Sequence, residues 1–438
     1  MKFLVGLLTF IVVIVGVGVF LNLPWQALIA LLILLGAWMA LTRRGQQTAS
    51  VAAVGVSTLG QRWGSSLVIV VGIAGVVAVL VALLAMAQGY ADTLRRTGSE
   101  DTAIVLRGGS ASEVSSVLSH DNVTVIEQAP GVAKDDQGKP IVSPELVVAA
   151  NLPVKDGGAD EFGSVQLRGV GDEAWKLRTN ARIVAGRKFE PGKYELVAGR
   201  GAQANFAGLE PGREVKLGTQ TWTVVGIFAS DDALDSEVWA DVQVIGGAFR
   251  RGSSVSSAFV RLTDAQAFEP FKAALTSDPR LQVDVDTTLD YFSQQSKQTV
   301  TIIKSIGIVV GAIMAFGAVF GALNTMFAAI ATRAREIATL RAIGFRSVPI
   351  VVAVMLETML LALIGGALGG LLAWLLFNGY TASTMASGST GQLTFSFNVA
   401  PAVLWTGLKW ALAIGFIGGL YPALRAARLP VTTALRES

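Results

Sequence analysis

Residues 3–42 contain no charged side chain. A membrane-crossing helix needs roughly 20 apolar residues, so this stretch is long enough for two crossings, and Asn22, Pro24 and Trp25 interrupt it midway. It predicts a transmembrane hairpin over 1–42, with arms at 3–22 and 25–42, stopped by Arg43 and Arg44. Lys2 before an apolar run also fits a cleaved signal peptide. No small-x-small site follows and a second apolar run comes at once, which favours retention. Further apolar runs lie at 65–91, 305–332, 350–378 (broken only by Glu357) and 401–424 (broken only by Lys409). Six spans are therefore expected, and an even number puts both termini on one side.

The charge distribution orients these spans. The net charge of +3 hides a division: residues 92–297 hold 29 acidic and 22 basic side chains, and the remainder holds 3 and 13. With the amino terminus in the cytoplasm, Lys2, Arg43, Arg44, Arg62, Arg333, Arg335, Arg341, Arg346, Arg425, Arg428 and Arg436 all face inward. Only Lys304 and Lys409 lie toward the other face. Positive charge collects on cytoplasmic loops, so the chain reads as a multi-pass protein of the cytoplasmic (inner) membrane, with both termini cytoplasmic and a large domain, 92–300, outside. The basic excess lies beside lipid and does not point to nucleic acid. With 52% hydrophobic and 15% charged residues, the composition argues against an ordinary cytosolic enzyme, since soluble domains carry about 25% charge.

The outer segment reads as α+β. Strands are expected at 103–107, 122–126, 145–150, 164–170, 194–199, 213–218, 220–228, 256–262 and 281–286, and helices at 111–119, 201–207 and 264–276, the last capped by Thr263. Pro-Gly pairs at 191–192 and 211–212 mark turns. Strand–helix–strand at both ends with a β stretch between predicts a split α/β subdomain with a β-rich insert; one undivided α+β domain fits the same pattern. The fold class is thus an α-helical membrane protein with six spans plus an extracytoplasmic α+β domain.

Catalytic signatures are missing from these residues. There is no cysteine and one histidine, His120, so neither a thiolate site nor a multi-histidine metal site is expected. The phosphate-binding pattern G-x-x-x-x-G-K-[ST] does not occur, nor does G-x-S-x-G. His120 reads as a solvated turn residue, and Asp135/Asp136, Asp160/Glu161 and Asp231/Asp232 as solvated loops. Glu357 and Lys409 are the ionisable residues within spans and so are functional candidates; Lys409 can snorkel outward, and Glu357 can meet a juxtamembrane arginine. Gly307/Gly311, Gly317/Gly321, Gly365/Gly369 and Gly366/Gly370 recur at four-residue spacing, which lets helices approach closely, either within the chain or at a dimer seam.

The most informative stretch is TRAREIATLRAIGFRSVPIVVAVMLETMLLALIGGALGG, 332–370. Helical spacing puts Ile337, Leu340 and Arg341 on one face with Glu336 beside it, giving a short amphipathic helix that ends at Gly344. Such a helix can seat in a groove of a soluble partner.

This stretch resembles the signature of the FtsX/MacB-type permeases, the type VII ABC transporter family. GLYPALRAARLPVTTALRES (419–438) resembles the family's carboxy-terminal motif, with the proline one place early and a threonine where an acid is usual. VAGRKFEPGKYELVAGRGAQANFAGLEPGREVKLGTQTWTVVGIF (184–228) and VWADVQVI (238–245) resemble its extracytoplasmic core domain, and LGQRWGSSLVIVVGIAG (59–75) its entry into the first span. The likeness covers about 50–438. The usual protomer has four spans, so the hairpin at 3–42 is an addition.

The resemblance implies the following organisation. Residues 43–64 form a cytoplasmic linker or amphipathic segment. The spans 65–91 and 301–332 flank the outer domain. Residues 333–348 form a coupling helix whose working residues are Arg335, Glu336, Ile337, Leu340, Arg341 and Gly344. Two more spans occupy 349–424, and 425–438 is a cytoplasmic tail. Two permease protomers, identical or different, each dock on a cytoplasmic ABC ATPase subunit that binds ATP and Mg, so this chain needs no cofactor of its own. ATP-driven closure moves the membrane helices and reshapes the outer domains. Export with a periplasmic adaptor and an outer-membrane channel, extraction of lipoproteins, and regulation of cell-wall hydrolases are all compatible with the resemblance. A membrane sensor or scaffold with no ATPase, and an ion-driven carrier, are the readings from other classes.

Overall fold

The computed structural model describes residues 15–57, 60, 63–155, 161–385 and 391–428. In chain order the helices are α1 (Val15–Asn22), α2 (Trp25–Leu41), α3 (Arg43–Ser57) and α4 (Trp63–Thr97). Then come β1 (Thr102–Arg107), α5 (His120–Glu127), β2 (Val142–Pro153), β3 (Phe162–Val170), α6 (Glu173–Leu177), β4 (Arg182–Gly186), β5 (Glu195–Gly199) and α7 (Arg200–Asn205). They are followed by β6 (Glu214–Leu217), β7 (Gln220–Ala229), β8 (Glu237–Asp241), α8 (Val242–Ala248), β9 (Ser257–Arg261), α9 (Phe268–Ser277) and β10 (Val283–Thr287). The chain continues with α10 (Thr288–Thr332), α11 (Ala334–Ala342), α12 (Ser347–Phe377), β11 (Thr381–Met385), β12 (Gln392–Ser396) and α13 (Pro401–Ala427).

These elements form two compact units. One comprises residues up to Ala85, Ile303–Asn378 and the chain from Asn398; the other comprises Met86–Ile302 with Gly379–Phe397. The segment between α12 and α13 therefore contributes a β-hairpin, β11–β12, to the second unit.

In the helical unit, four helices among the described residues are long and apolar enough to cross a membrane: Ser66–Thr97 within α4, and α10, α12 and α13. α1 and α2 meet that standard only together, and they are bent by 112°. Six spans thus become four, or five if the bent pair counts as one. The bend falls at Pro24, which is extended (φ −68°, ψ 155°) and has no backbone N–H to continue a helix. Residues 3–14 of the expected first arm lie outside the described residues.

The second unit is built on a mixed sheet in the order β10-β1-β9-β2-β3-β8-β5-β7-β4, with β6 on β7. β2 serves two partners: residues 142–145 pair with β9, and 146–153 pair with β3. Two apolar cores follow this switch. One gathers Val105, Ile126, Val260, Phe271 and Val285; the other gathers Leu167, Leu196, Phe206, Trp222 and Val238. The unit is thus an α+β domain carried on one mixed sheet.

Local expectations fail in two neighbouring places. Residues 122–126 are helical in α5, not a strand, because the Ser119 hydroxyl accepts from Asn122 N while the Asn122 side chain accepts from Ser119 N. That capping box starts a helix whose Val123 and Ile126 share its buried face, overriding the β preference of Val-Thr-Val-Ile. Residues 111–119 are not an α-helix; only the 3-10 turn Glu113–Ser115 forms there. The third expected helix begins later than predicted, after a 3-10 turn capped by Asp264 rather than Thr263.

Candidate functional site

The break between α10 and α11 is one residue wide. Arg333 leaves helical geometry and caps α11, and its guanidinium carries two ion pairs: Nε to Glu336 and Nη1 to Glu357, both at 3.1 Å. Glu357 is buried on α12, and an unpaired buried carboxylate would be costly. Arg333 is thus the juxtamembrane arginine expected to meet it. On α3, Gly55 lies over this pair: a Cβ there would meet Glu357 Oε2 at 3.2 Å and the Arg333 guanidinium at 3.7 Å.

The other end of α11 is closed by Gly344. Gly344 N donates to Arg341 O (3.1 Å) and Phe345 N to Leu340 O (3.0 Å), a Schellman pattern. The positive φ this requires at Gly344, 106°, suits glycine. Leu340 and Phe345, the two side chains such a cap brings together, both line a cavity of about 410 Å³ with Ile337, Val54, Ile350 and Val354.

The geometry divides the expected coupling residues. Ile337 is buried and Leu340 is half-buried, so both face the interior of the unit. Arg335, Glu336 and Gly344 are exposed, and Arg341 is half-exposed. At the C-cap of α11, Ile343 presents a large apolar side chain outward, 69% exposed, with Val348 exposed just beyond. Ile343 is not among the residues that helical spacing singles out; its position immediately before a left-handed glycine is the signal that marks it.

Lys409 donates from Nζ to Leu21 O at 2.5 Å, and Leu23 O lies at 3.5 Å. A cation thus sits on the end carbonyls of α1, where the helix dipole favours it. Gly307 and Gly311 face Leu83 and Leu80 of α4. Gly365 and Gly369 face α4 at Val70, Ile73 and Ala74, while Gly366 and Gly370 face α13 at Ala411, Leu408 and Leu404. A Cβ added at Gly317 or Gly321 would meet nothing within 4 Å among the described residues.

Among the described residues no cluster of His, Asp and Glu could hold a metal ion. His120 is exposed at the first position of α5. Asp135 is half-buried rather than fully solvated; it accepts from Lys176. Asp232 departs from the solvated-loop expectation. It is buried and accepts from Asn180, Ser230 and Leu234 N, and burial pushes its carboxyl above the ordinary range. Asp160 lies outside the described residues.

Comparison with known proteins accounts for both parts of the chain. Residues 65–278 match the MacB-like periplasmic core domain, and residues 308–431 match the FtsX-like permease C-terminal family. The chain belongs to the MacB/FtsX-type permeases of ABC transporters. It is 27% identical over 400 residues to the macrolide export ATP-binding/permease protein MacB of Bordetella avium, covering 84% of this chain and 57% of that protein. For the MacB of Vibrio parahaemolyticus the values are 26% over 378 residues, 76% and 55%. The chain thus spans little more than half the length of these relatives. The periplasmic region of MacB from Actinobacillus actinomycetemcomitans aligns with a TM-score of 0.34 at 16% identity, over 47% of this chain and 95% of that one.

Proposed function

We propose that this chain is a permease subunit that couples ATP hydrolysis by an ABC ATPase subunit to movement of its outer domain, driving export or release of a substrate beyond the membrane. The observation that carries this reading is α11: a short helix pinned by Arg333–Glu357 at one end, closed by Gly344 at the other, and presenting Arg335, Glu336 and Ile343 outward. A partner groove takes such a helix by an apolar anchor framed by polar contacts. Arg335, Glu336 and the half-exposed Arg341 supply those contacts and Ile343 the anchor, while Ile337 and Leu340 hold the helix in place. The relatives named MacB carry ATP-binding and permease functions in their names, which supports an ATPase partner. The basic residues flanking the spans favour a cytoplasmic face for α11 and for both termini.

The working unit is a pair of protomers, with α10 at the seam. Its apolar stretch is 22% buried, against 44–50% for the other three spans, and Gly317 and Gly321 lie open on it.

The test is affinity purification from membranes in mild detergent, with co-purifying proteins identified by mass spectrometry. An ATPase is expected, and Ile343→Asp should remove it while the permease still inserts. Retention of the ATPase by that variant would refute the anchor. An adaptor and outer-membrane channel beside the ATPase would specify export; a wall hydrolase would specify regulation. Absence of any ATPase would leave a sensor or scaffold.

A further inference from the structure

The outer unit contains a charge cluster with no place in the coupling scheme. Arg168 of β3 is 1% exposed. All five of its N–H donors are used: Nε on Glu237 (2.7 Å), Nη1 on Glu113 and Glu145 (2.8 Å each), and Nη2 on Glu237 (2.8 Å) and Glu113 (3.0 Å). Arg178 holds the same Glu145 from the other side at 2.5 and 2.8 Å. Two guanidiniums thus meet three carboxylates, and each carboxylate has a further anchor: Ser257 on Glu113, Ser143 on Glu145, and Trp239 with Gln166 on Glu237.

The placement of these groups is informative. Arg168 and Glu237 belong to β3 and β8 in the β-rich half of the sheet. Glu113 lies in the turn after β1, in the other half, and Glu145 is the last residue of β2 paired with β9 before that strand turns to β3. The cluster therefore sits where β2 changes partner, on the opposite face of the sheet from the two apolar cores, among Phe259 and Trp239. The chain enters and leaves this unit through α4, α10 and the segment carrying β11–β12, and all three reach the cluster. Glu113 N donates to Tyr291 OH of α10 at 3.2 Å. A cavity of about 40 Å³ beside Arg168 and Glu237 is walled by Leu94 of α4, Phe292 of α10 and Gln392 of β12.

We propose that Arg168 is a positioning residue: with Glu113, Glu145 and Glu237 it forms a charge-locked joint that fixes the angle between the two halves of the outer domain and ties that angle to α4, α10 and the hairpin. Its effect on transport rests on the coupling function above; the joint itself does not. A buried ion cluster gives little net stability compared with apolar packing, and its best-attested use is to select one arrangement among several. A five-donor fork shared among three carboxylates has few alternative geometries, whereas an apolar interface between the same elements could slide.

The test uses the full chain in lipid nanodiscs. The sequence has no cysteine, so Ala273→Cys on α9 and Lys216→Cys on β6 take spin labels without background, one in each half. A narrow distance distribution is expected for the otherwise unaltered protein. Arg168→Met with Glu113→Gln and Glu237→Gln leaves Arg178–Glu145 as a one-to-one pair; it should insert normally and widen the distribution at least twofold. An unchanged width overturns the proposal. If the triple variant does not fold, Glu237→Gln alone, which removes one carboxylate from the fork, is read by the same criterion. Failure of an ATPase to co-purify with the unaltered protein would remove the coupling function and leave this measurement decisive for the joint.

Discussion

At Arg333 and Glu357 one ion pair joins the start of α11 to the interior of α12. Arg333 keeps Glu336 if Glu357 is removed, but removing Arg333 takes a charge partner from the buried Glu357; breaking a buried pair from that side costs about 3–5 kcal/mol, whereas replacing both members with apolar groups is often neutral. Arg333→Met alone should therefore lower the thermal midpoint in detergent sharply, and Arg333→Met with Glu357→Met should recover most of it. Equal losses in both would mean the charges serve more than each other. Gly344 makes a different prediction. A β-branched side chain at its φ of 106° is strained. Gly344→Val should open the cap by about 1–2 kcal/mol and speed hydrogen exchange at Phe345 by roughly 5–30-fold; unchanged protection would show the cap is not held by that turn. Gly344 is legible in the sequence because a cap is local. The Arg333 partner is legible only as a type, since the sequence cannot choose among the juxtamembrane arginines.

Among the elements, the glycine pairs separate by what their helices touch. Gly369 lies against the α4 backbone at Ala74, so Gly369→Leu should prevent the protein from accumulating in membranes. Gly317 lies open, so Gly317→Leu with Gly321→Leu should fold and insert normally yet reduce the dimer fraction in cross-linking. Persistence of the dimer would move the seam elsewhere. Four-residue spacing is the same in both places; only the neighbouring helix distinguishes them. α5 makes the converse point. Its β-branched run reads as a strand, and the capping box at Ser119 and Asn122 decides otherwise. Asn122→Ala should cost about 1 kcal/mol, seen as a lower melting midpoint.

For the whole molecule, the ion-paired carboxylates of the outer unit should make it acid-sensitive. Burial alone would raise the Glu145 carboxyl, but the Arg178 and Arg168 guanidiniums hold it below the ordinary range. Asp101 is also lowered: burial opposes this, while the Ser99 hydrogen bond and Arg261 drive it. A depressed folded pKa contributes stability that is present above the unfolded value and lost as pH falls through the folded one. Asp232, raised by burial, has the opposite sign and is relieved as pH falls. With the depressed groups dominant, the melting midpoint should hold from about pH 7 to 5 and fall below about pH 4. A midpoint that rises below pH 4 would mean that Asp232 dominates.

Composition and periodicity are enough to locate the four helices long and apolar enough to cross a membrane, the charge asymmetry around them, most strands of the outer domain, and the amphipathic helix ending at Gly344. These properties reside in windows of a few residues, where hydrophobic burial and turn geometry act. Long-range packing makes the remaining choices: that α1 and α2 bend rather than form two straight spans, that Lys409 meets the Leu21 carbonyl, that Ile343 rather than Leu340 faces outward, and that β11–β12 belongs to the outer unit. The Arg168 cluster is of this second kind, since its members lie 55, 23 and 69 residues from Arg168 along the chain. Each carboxylate there looks like a surface residue in its own segment. Only when the sheet brings them to two shared guanidiniums does their burial become tolerable, because most of the charge that would be prohibitive alone is offset by partners no local pattern could name.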